Sequence, residues 1–594
     1  MRRWKWSVSC LCFILTALLS SGAAGEVPTL SADQIRPGMV GFGKTVFRGT
    51  KIDTFGVEIV DVMRNVFGPK EDLILARLSG GPLPLEKTGV IQGMSGSPVY
   101  VDGKLIGAVS YALTLFSKES LCGITPISEM LNALNRVTED QPLPPGQNRL
   151  GRIRGDRSPE PRLTSPYEPG GSAIRPLAVP LAAGGFAPGA VEQLRADLSP
   201  YGFLPVQGVG GTDTTLAPGA LEPGAAVGVQ LVRGDLSLAG IGTLTYRDAN
   251  RVVAFGHPMF SGGRSSFPMS SAYIYSVVAS QYISFKLGAA SAVQGSIVED
   301  RAAGIVGVVG RDASMIPVAV TIRSDAGTRD YRFEVIRHPD LTPILTRGTL
   351  LSALISAEKQ SGDVTTRTRS VIRMEGYPDL RLENTYSGAQ ALGLTILDLV
   401  KPLDAVMDNP FLSAPVKEVR FEIALEESLR TASVEGLRLF KGRFHPGDTI
   451  PFEVRLRPFH GDEQVVSGQV TLPPYVPAGP LALRTGSAQT LEKLEVKRAP
   501  GRYSPRDFAH LLGLISQEER NDDLVVEVLS QERGVTVGGE ELTAPPSSVL
   551  SILRMSRQTG ATDRVEGVVL ARVHIRTAFV LAGGQQTTVM VEPE

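Results

Sequence analysis

Ser95 stands between two glycines in the stretch Gly93-Met94-Ser95-Gly96-Ser97-Pro98. A serine hydroxyl is a weak nucleophile. It needs a base to take its proton and N–H donors to hold the oxyanion that forms. Gly93 can adopt backbone angles closed to other residues. The N–H groups of Gly93 and Ser95 could then converge on one point, and Gly96 would leave the hydroxyl unobstructed. The competing reading is a small residue in a tight, glycine-rich turn.

A nucleophile requires a base, and the chain has six histidines. His338, His445, His460, His510 and His574 sit in strand, loop or helix patterns without special context. His257 differs, because it closes the apolar run of Val252-Val253-Ala254-Phe255-Gly256-His257-Pro258. A strand end followed by a loop is where a scaffold exposes a working side chain. A buried turn histidine fits the same pattern, and both readings stand at this point. Metal chemistry finds no spacing to support it, since neither a His-x-x-x-His pair nor a cysteine cluster occurs. No cofactor is expected.

The elbow of α/β-hydrolases does not fit here. That motif needs Gly two residues after the serine and a helix behind it, whereas Ser97 and a hairpin follow Ser95. The turn is closer to the Gly-x-Ser-Gly-x-Pro turn of chymotrypsin-like barrels. "TGVIQGMSGSPVYVDGKLIGAVSY", with "CGITPISEML" after it, resembles the serine segment of the SpoIVB-type peptidases, the stage IV sporulation protein B family. "LVRGDLSLAGIGTLTYRDANRVVAFGHPMF" is similar to that family's histidine segment. The resemblance implies a chymotrypsin-related peptidase with Ser95 as nucleophile and His257 as general base. The family places its histidine segment first, and here the order is reversed. The family also has an aspartate shortly before the serine motif, where this chain has Gly80 or Gly81. Asp72 and Asp248 are the candidate orienting acids by nearness in sequence, and a Ser–His dyad is the other account. The peptide-binding PDZ module of the sporulation protein has no match.

The elements that must position these residues are mostly strands. Gly (64) and Pro (42) are abundant among 594 residues and long helical patterns are few, so the expected fold is mainly β with many turns. Residues 26–137 form the serine-bearing half. In it Asp102-Gly103 predicts a type I′ hairpin turn, and a helix capped by Thr125 or Ser128 buries Ile127, Met130, Leu131 and Leu134. Residues 138–175 are a Pro- and Gly-rich linker. Residues 176–345 form the histidine-bearing half, so two chymotrypsin-like β-barrel halves are expected to meet at the site. A helical bridge over 346–414, a β-sandwich-like domain over 415–485 and a mixed α/β domain over 486–594 follow. In the last of these a helix is expected with Ser504 as cap and Pro505 at its first position.

Lys+Arg (60) and Asp+Glu (61) balance, which leaves no basic surplus for a nucleic-acid backbone. "MRRWKW", an apolar run and "GAAGE" read as a signal peptide over residues 1–25, with a retained membrane anchor as the rival. Cys10 and Cys12 would leave with it, and Cys122 alone cannot form an intramolecular disulfide. Its expected role is a small buried apolar residue. The expected function is a periplasmic or secreted serine endopeptidase acting on a protein or peptide substrate. The alternative is an inactive, peptidase-like scaffold whose C-terminal domains dock an envelope protein.

Overall fold

The computed structural model describes residues 27–113, 119–137, 174–209, 216–357, 362–537 and 562–593, with a few residues between 540 and 549. The expected signal peptide, and all but the end of the expected linker, lie outside the described residues. The fold is mainly β, as the turn-rich composition predicts.

Asp102 and Gly103 both take positive φ, 49° and 74°, the signature of the type I′ turn. That turn joins two strands of the first barrel. Its strands are β1 (Val40–Arg48), β2 (Lys51–Gly68), β3 (Glu71–Ser79), β4 (Ser97–Val101), β5 (Lys104–Ala112) and β6 (Leu121–Pro126), with a short helix α1 (Leu85–Thr88) before the serine turn. Each strand pairs antiparallel with its neighbours in the order β1-β2-β3-β6-β5-β4, and β4 returns to β1, so the ring closes without a free edge. The helix α2 (Ile127–Asn135) follows. Its buried face is Ile127, Met130, Ala133 and Leu134, with Leu131 only partly covered. Pro126 holds its N-cap position, and neither Thr125 nor Ser128 caps it. Thr125 is spent elsewhere: its hydroxyl donates to the Gly256 carbonyl of the other half at 2.6 Å.

After the linker the chain first returns to the first barrel. The short strand β7 (Arg175–Pro176) pairs with β5. The chain continues through β8 (Val179–Gly184), the helix α3 (Pro188–Leu198) and β9 (Phe203–Gln207). A second ring then forms from β10 (Ala226–Gly234), β11 (Ser237–Asp248), β12 (Arg251–Ala254), β13 (Gly263–Val278), β14 (Phe285–Arg301) and β15 (Gly304–Val309). Its order is β10-β13-β14-β15-β12-β11, closed by the β10–β11 pair and antiparallel throughout.

The two barrels share core. Tyr100, Leu105, Ile127, Met130 and Leu134 pack in one cluster with Tyr246, Val253, Val306 and Val308. Val46 packs with Ile241 and Ile274 in another. The two halves thus bury apolar side chains against each other in common clusters, as the parts of one core do.

Beyond the barrels the structure departs from the sequence expectation. Two long helices, α4 (Leu341–Ala357) and α5 (Ala391–Met407), do occupy the bridge. Between them lies a hairpin of two strands, 364–374 and 380–388. The strand 416–426 joins that hairpin and runs parallel to the strand 315–324, instead of opening the sandwich. Alternation with period two suits any half-buried sheet, so it does not say which sheet a strand enters. The sandwich itself packs a four-stranded sheet around 431–471 on a six-stranded sheet drawn mostly from 479–591, over one core with Phe452, Val454, Leu483 and Val526. The strands of the C-terminal segment therefore complete it. The expected helix there spans Phe508–Ser516 and is capped by Asp507, not Ser504: the Asp507 carboxylate accepts from the His510 N–H at 2.7 Å.

No described helix is long and apolar enough to cross a membrane.

Candidate active site

The serine turn lies on the face of the first barrel that meets the second. Three peptides hold its shape. The Gln92 carbonyl accepts the Lys286 N–H at 3.0 Å. The Met94 carbonyl accepts both the Ser97 N–H at 2.9 Å and the Ser97 hydroxyl at 2.6 Å. The Ser95 carbonyl accepts the Thr243 N–H at 2.8 Å. In a trans peptide N–H and C=O point opposite ways. Fixing the Gln92 and Met94 carbonyls therefore also aims the N–H groups of Gly93 and Ser95. Neither N–H has an acceptor among the described residues. These are two fixed backbone donors left unspent beside the serine hydroxyl, the kind of group from which an oxyanion hole is built.

Gly96 seats the turn on the histidine half. A Cβ there would stand 2.0 Å from the Thr243 carbonyl oxygen and 2.4 Å from the Phe255 nitrogen, and its φ is +91°. The Thr245 hydroxyl donates to the Gly96 carbonyl at 2.7 Å. His257 thus follows by two residues the backbone that Gly96 touches. Phe255 has φ 71° and Gly256 φ 70°. Left-handed backbone is an outlier for a bulky aromatic and costs roughly 1–3 kcal/mol. Such strain gathers at functional sites, where packing enforces a shape that the local sequence disfavours.

Ser95 is wholly buried and His257 is 1% exposed. Ser95 therefore does not sit on an exposed turn. The Ser95 hydroxyl and His257 Nε2 both lack a hydrogen-bond partner among the described residues. Gln92 Oε1, in the same turn, lacks one as well. An unpartnered buried polar group costs about 1–3 kcal/mol, and three in one interface region call for a reason. The state of the ring is fixed by its one contact. His257 Nδ1 lies 2.8 Å from the Pro258 carbonyl, which places the proton on Nδ1 and leaves the Nε2 lone pair free. Burial lowers its pKa to about 4, against a smaller upward pull from the Pro258 carbonyl, so the imidazole is neutral at ordinary pH.

Among the described residues no carboxylate pairs with His257. Asp72 pairs with Arg64 at 2.6 Å and accepts the Asn65 N–H. Asp248 pairs with Arg251 at 2.5 Å in the β11–β12 hairpin. Neither is brought to the ring. The carboxylate that serves the loop is Asp300, which sequence reading missed. It accepts the N–H groups of Met259 at 2.8 Å, Phe260 at 2.6 Å and Gly262 at 3.5 Å. Burial raises its pKa to about 6 against those hydrogen bonds. A backbone carbonyl fixes the tautomer, and Asp300 fixes the loop that carries that carbonyl. The signal was an acid in an apolar strand register, "GSIVEDR", without any motif around it.

Asp300→Asn is expected to speed amide exchange at Met259, Phe260 and Gly262 while leaving the first barrel's exchange unchanged. Hydrogen bonds to a charged acceptor are worth about 1.5–3 kcal/mol, so a tenfold or larger change at these amides is the outcome to look for. Unaltered exchange there would remove Asp300 from the account.

Cys122 is buried, and burial pushes its thiol pKa up, so it is inert packing. Among the described residues no group of three or more His, Cys, Asp or Glu side chains could hold a metal ion.

Residues 19–130 match the family described as SpoIVB peptidase S55. The match covers the first barrel and its serine turn, and ends within α2 before the histidine segment. The resemblance of the serine segment is borne out, and the match supports a serine peptidase of SpoIVB type. No curated protein and no solved structure matches the chain significantly.

Proposed function

We propose that the protein is an exported serine endopeptidase of SpoIVB type, with Ser95 as nucleophile and His257 as general base. The observation that carries this is the conjunction at one barrel interface of two unpartnered buried atoms, Ser95 Oγ and His257 Nε2, with two unspent N–H donors. Ser95 Oγ adds to the carbonyl carbon of a peptide bond and its proton passes to His257 Nε2. The carbonyl π pair moves onto oxygen, facing the N–H groups of Gly93 and Ser95. When the pair returns, the C–N bond breaks and the amine leaves with the proton from His257. Water then repeats the sequence on the acyl-enzyme. Because the site is closed to solvent, the peptide has to open the barrel contact to enter. Residues 1–25 act as the export signal, and the C-terminal sandwich serves as a docking surface for an envelope protein.

A serine-directed fluorophosphonate tests the reading on the chain from residue 26. Mass spectrometry should place the adduct on Ser95. The burial of Ser95 and the bare ring of His257 favour a second reading, a peptidase-like scaffold without turnover. A well-folded protein that takes no label, alone or with candidate envelope partners, would establish that one instead.

A further inference from the structure

Beneath the serine turn lies an amine that the scheme above does not use. Lys286 is the second residue of β14 and is fully buried. Its N–H holds the Gln92 carbonyl, and the Gln92 N–H donates to the Ser284 carbonyl at 2.8 Å, so the start of β14 clasps the turn as a parallel bridge. Its aliphatic stem lies across Gly93, where a Cβ would come within 3.3 Å of it. The amine donates to the Thr45 hydroxyl at 2.7 Å and to the Thr243 hydroxyl at 3.3 Å. Thr243 in turn donates its hydroxyl to the Gly93 carbonyl at 3.1 Å. One threonine therefore links the amine to the peptide of the turn.

Thr45 from β1, Thr243 from β11 and Gly93 from the turn face this group, and none carries a charge. No carboxylate contacts it among the described residues, and burial alone lowers its pKa to about 7. A buried cation without a counter-ion destabilises a fold, and a methionine would fill the same space without that cost. Ionisable groups perturbed in this way gather at functional sites, where a fixed charge can offset an anion that forms transiently beside it.

We propose that Lys286 is the standing positive charge of the oxyanion site, held under the Gly93–Ser95 turn to offset the negative charge that appears on the substrate carbonyl oxygen. It acts through the turn and is a positioning residue. This rests on the peptidase reading above.

The test compares wild type with Lys286→Met, and with Lys286→Gln in case the first variant does not fold, by the rate of fluorophosphonate labelling from pH 5 to 9. The charged amine is the useful form. The wild-type rate should hold at pH 5–6 and fall as pH rises through about 7. Lys286→Met should label about tenfold to a hundredfold more slowly at pH 6 and lose that fall. Thermal melts supply a readout independent of chemistry. Between pH 7 and the ordinary lysine pKa of 10.5 the unfolded chain binds more protons than the folded one, so wild-type stability relative to Lys286→Met should rise with pH over that window. Equal labelling of both proteins with one pH profile removes Lys286 from the site and leaves the peptidase reading standing. A wild-type rate that rises through pH 7, with the rise lost in Lys286→Met, makes the amine a proton acceptor and overturns the electrostatic role. A folded wild type that takes no label removes both.

Discussion

Ser95→Ala is expected to abolish phosphonate labelling and to lower peptide turnover by at least about 10⁴-fold, with His257→Ala close behind, because nucleophile and base act as a unit. The stability of the same variant is equally telling. The Ser95 hydroxyl is buried and unpartnered, so removing it breaks no hydrogen bond and relieves a desolvation cost. Ser95→Ala should melt no lower than wild type, and up to about 1 kcal/mol in its favour is the range to expect. Equal labelling of variant and wild type would mean that another serine reacts. Asp72→Ala and Asp248→Ala should leave turnover unchanged, since Asp248 loses a partly exposed ion pair with Arg251, and Asp72 one with Arg64 and the Asn65 N–H, all away from His257. His257 adds a pH dependence of its own. Its folded pKa of about 4 lies below the ordinary 6.5, so between these values the unfolded chain binds more protons. Stability should then fall by roughly 3 kcal/mol as pH drops from 6.5 through 4, and His257→Ala should remove that part of the loss.

Gly96→Ala carries the second large effect, this time on folding. Its Cβ would meet two backbone atoms of the histidine half, at 2.0 Å and 2.4 Å, in left-handed backbone. Backbone atoms paired in sheets do not move aside as a side chain end can, so a loss above about 4 kcal/mol is expected. Gly103→Ala is the control. It shares the positive φ but faces open space, and should cost only about 1 kcal/mol. A urea titration separates the two. If Gly96→Ala folds as well as Gly103→Ala, the barrels do not meet where described.

Much of this site was legible in the chain, and the part that was not has a common physical character. The hairpin turn, the serine turn and the histidine loop are local: glycine, a short polar residue and an apolar run within a dozen positions define them. Lys286 and Asp300 lie in one long strand, "FKLGAASAVQGSIVEDR", and owe their roles to partners far away in sequence. A lone lysine between Phe285 and Leu287 could point to solvent or to core. Only the closure of the second barrel decides which. The same holds for the strand 416–426, whose alternation was plain but whose sheet was not. The caps were misplaced for a smaller reason. Several short polar residues stood near each helix start, and tertiary contacts chose among them, spending Thr125 on Gly256 and leaving Asp507 to cap.

The strand β7 bears on the reversed order of the two motifs. The chain leaves the first barrel at α2 and, before building the second, returns to pair Arg175 and Pro176 with β5. The last residue of the linker and the first of the histidine half are thus stitched into the serine half, and the two halves also share core. The contacts between the halves are made by side chains and strand edges of both, so their order along the chain is expected to matter less than the fit of the two faces. A gene rearrangement that exchanged the halves, or that split them into two cistrons, would leave the meeting face unaltered.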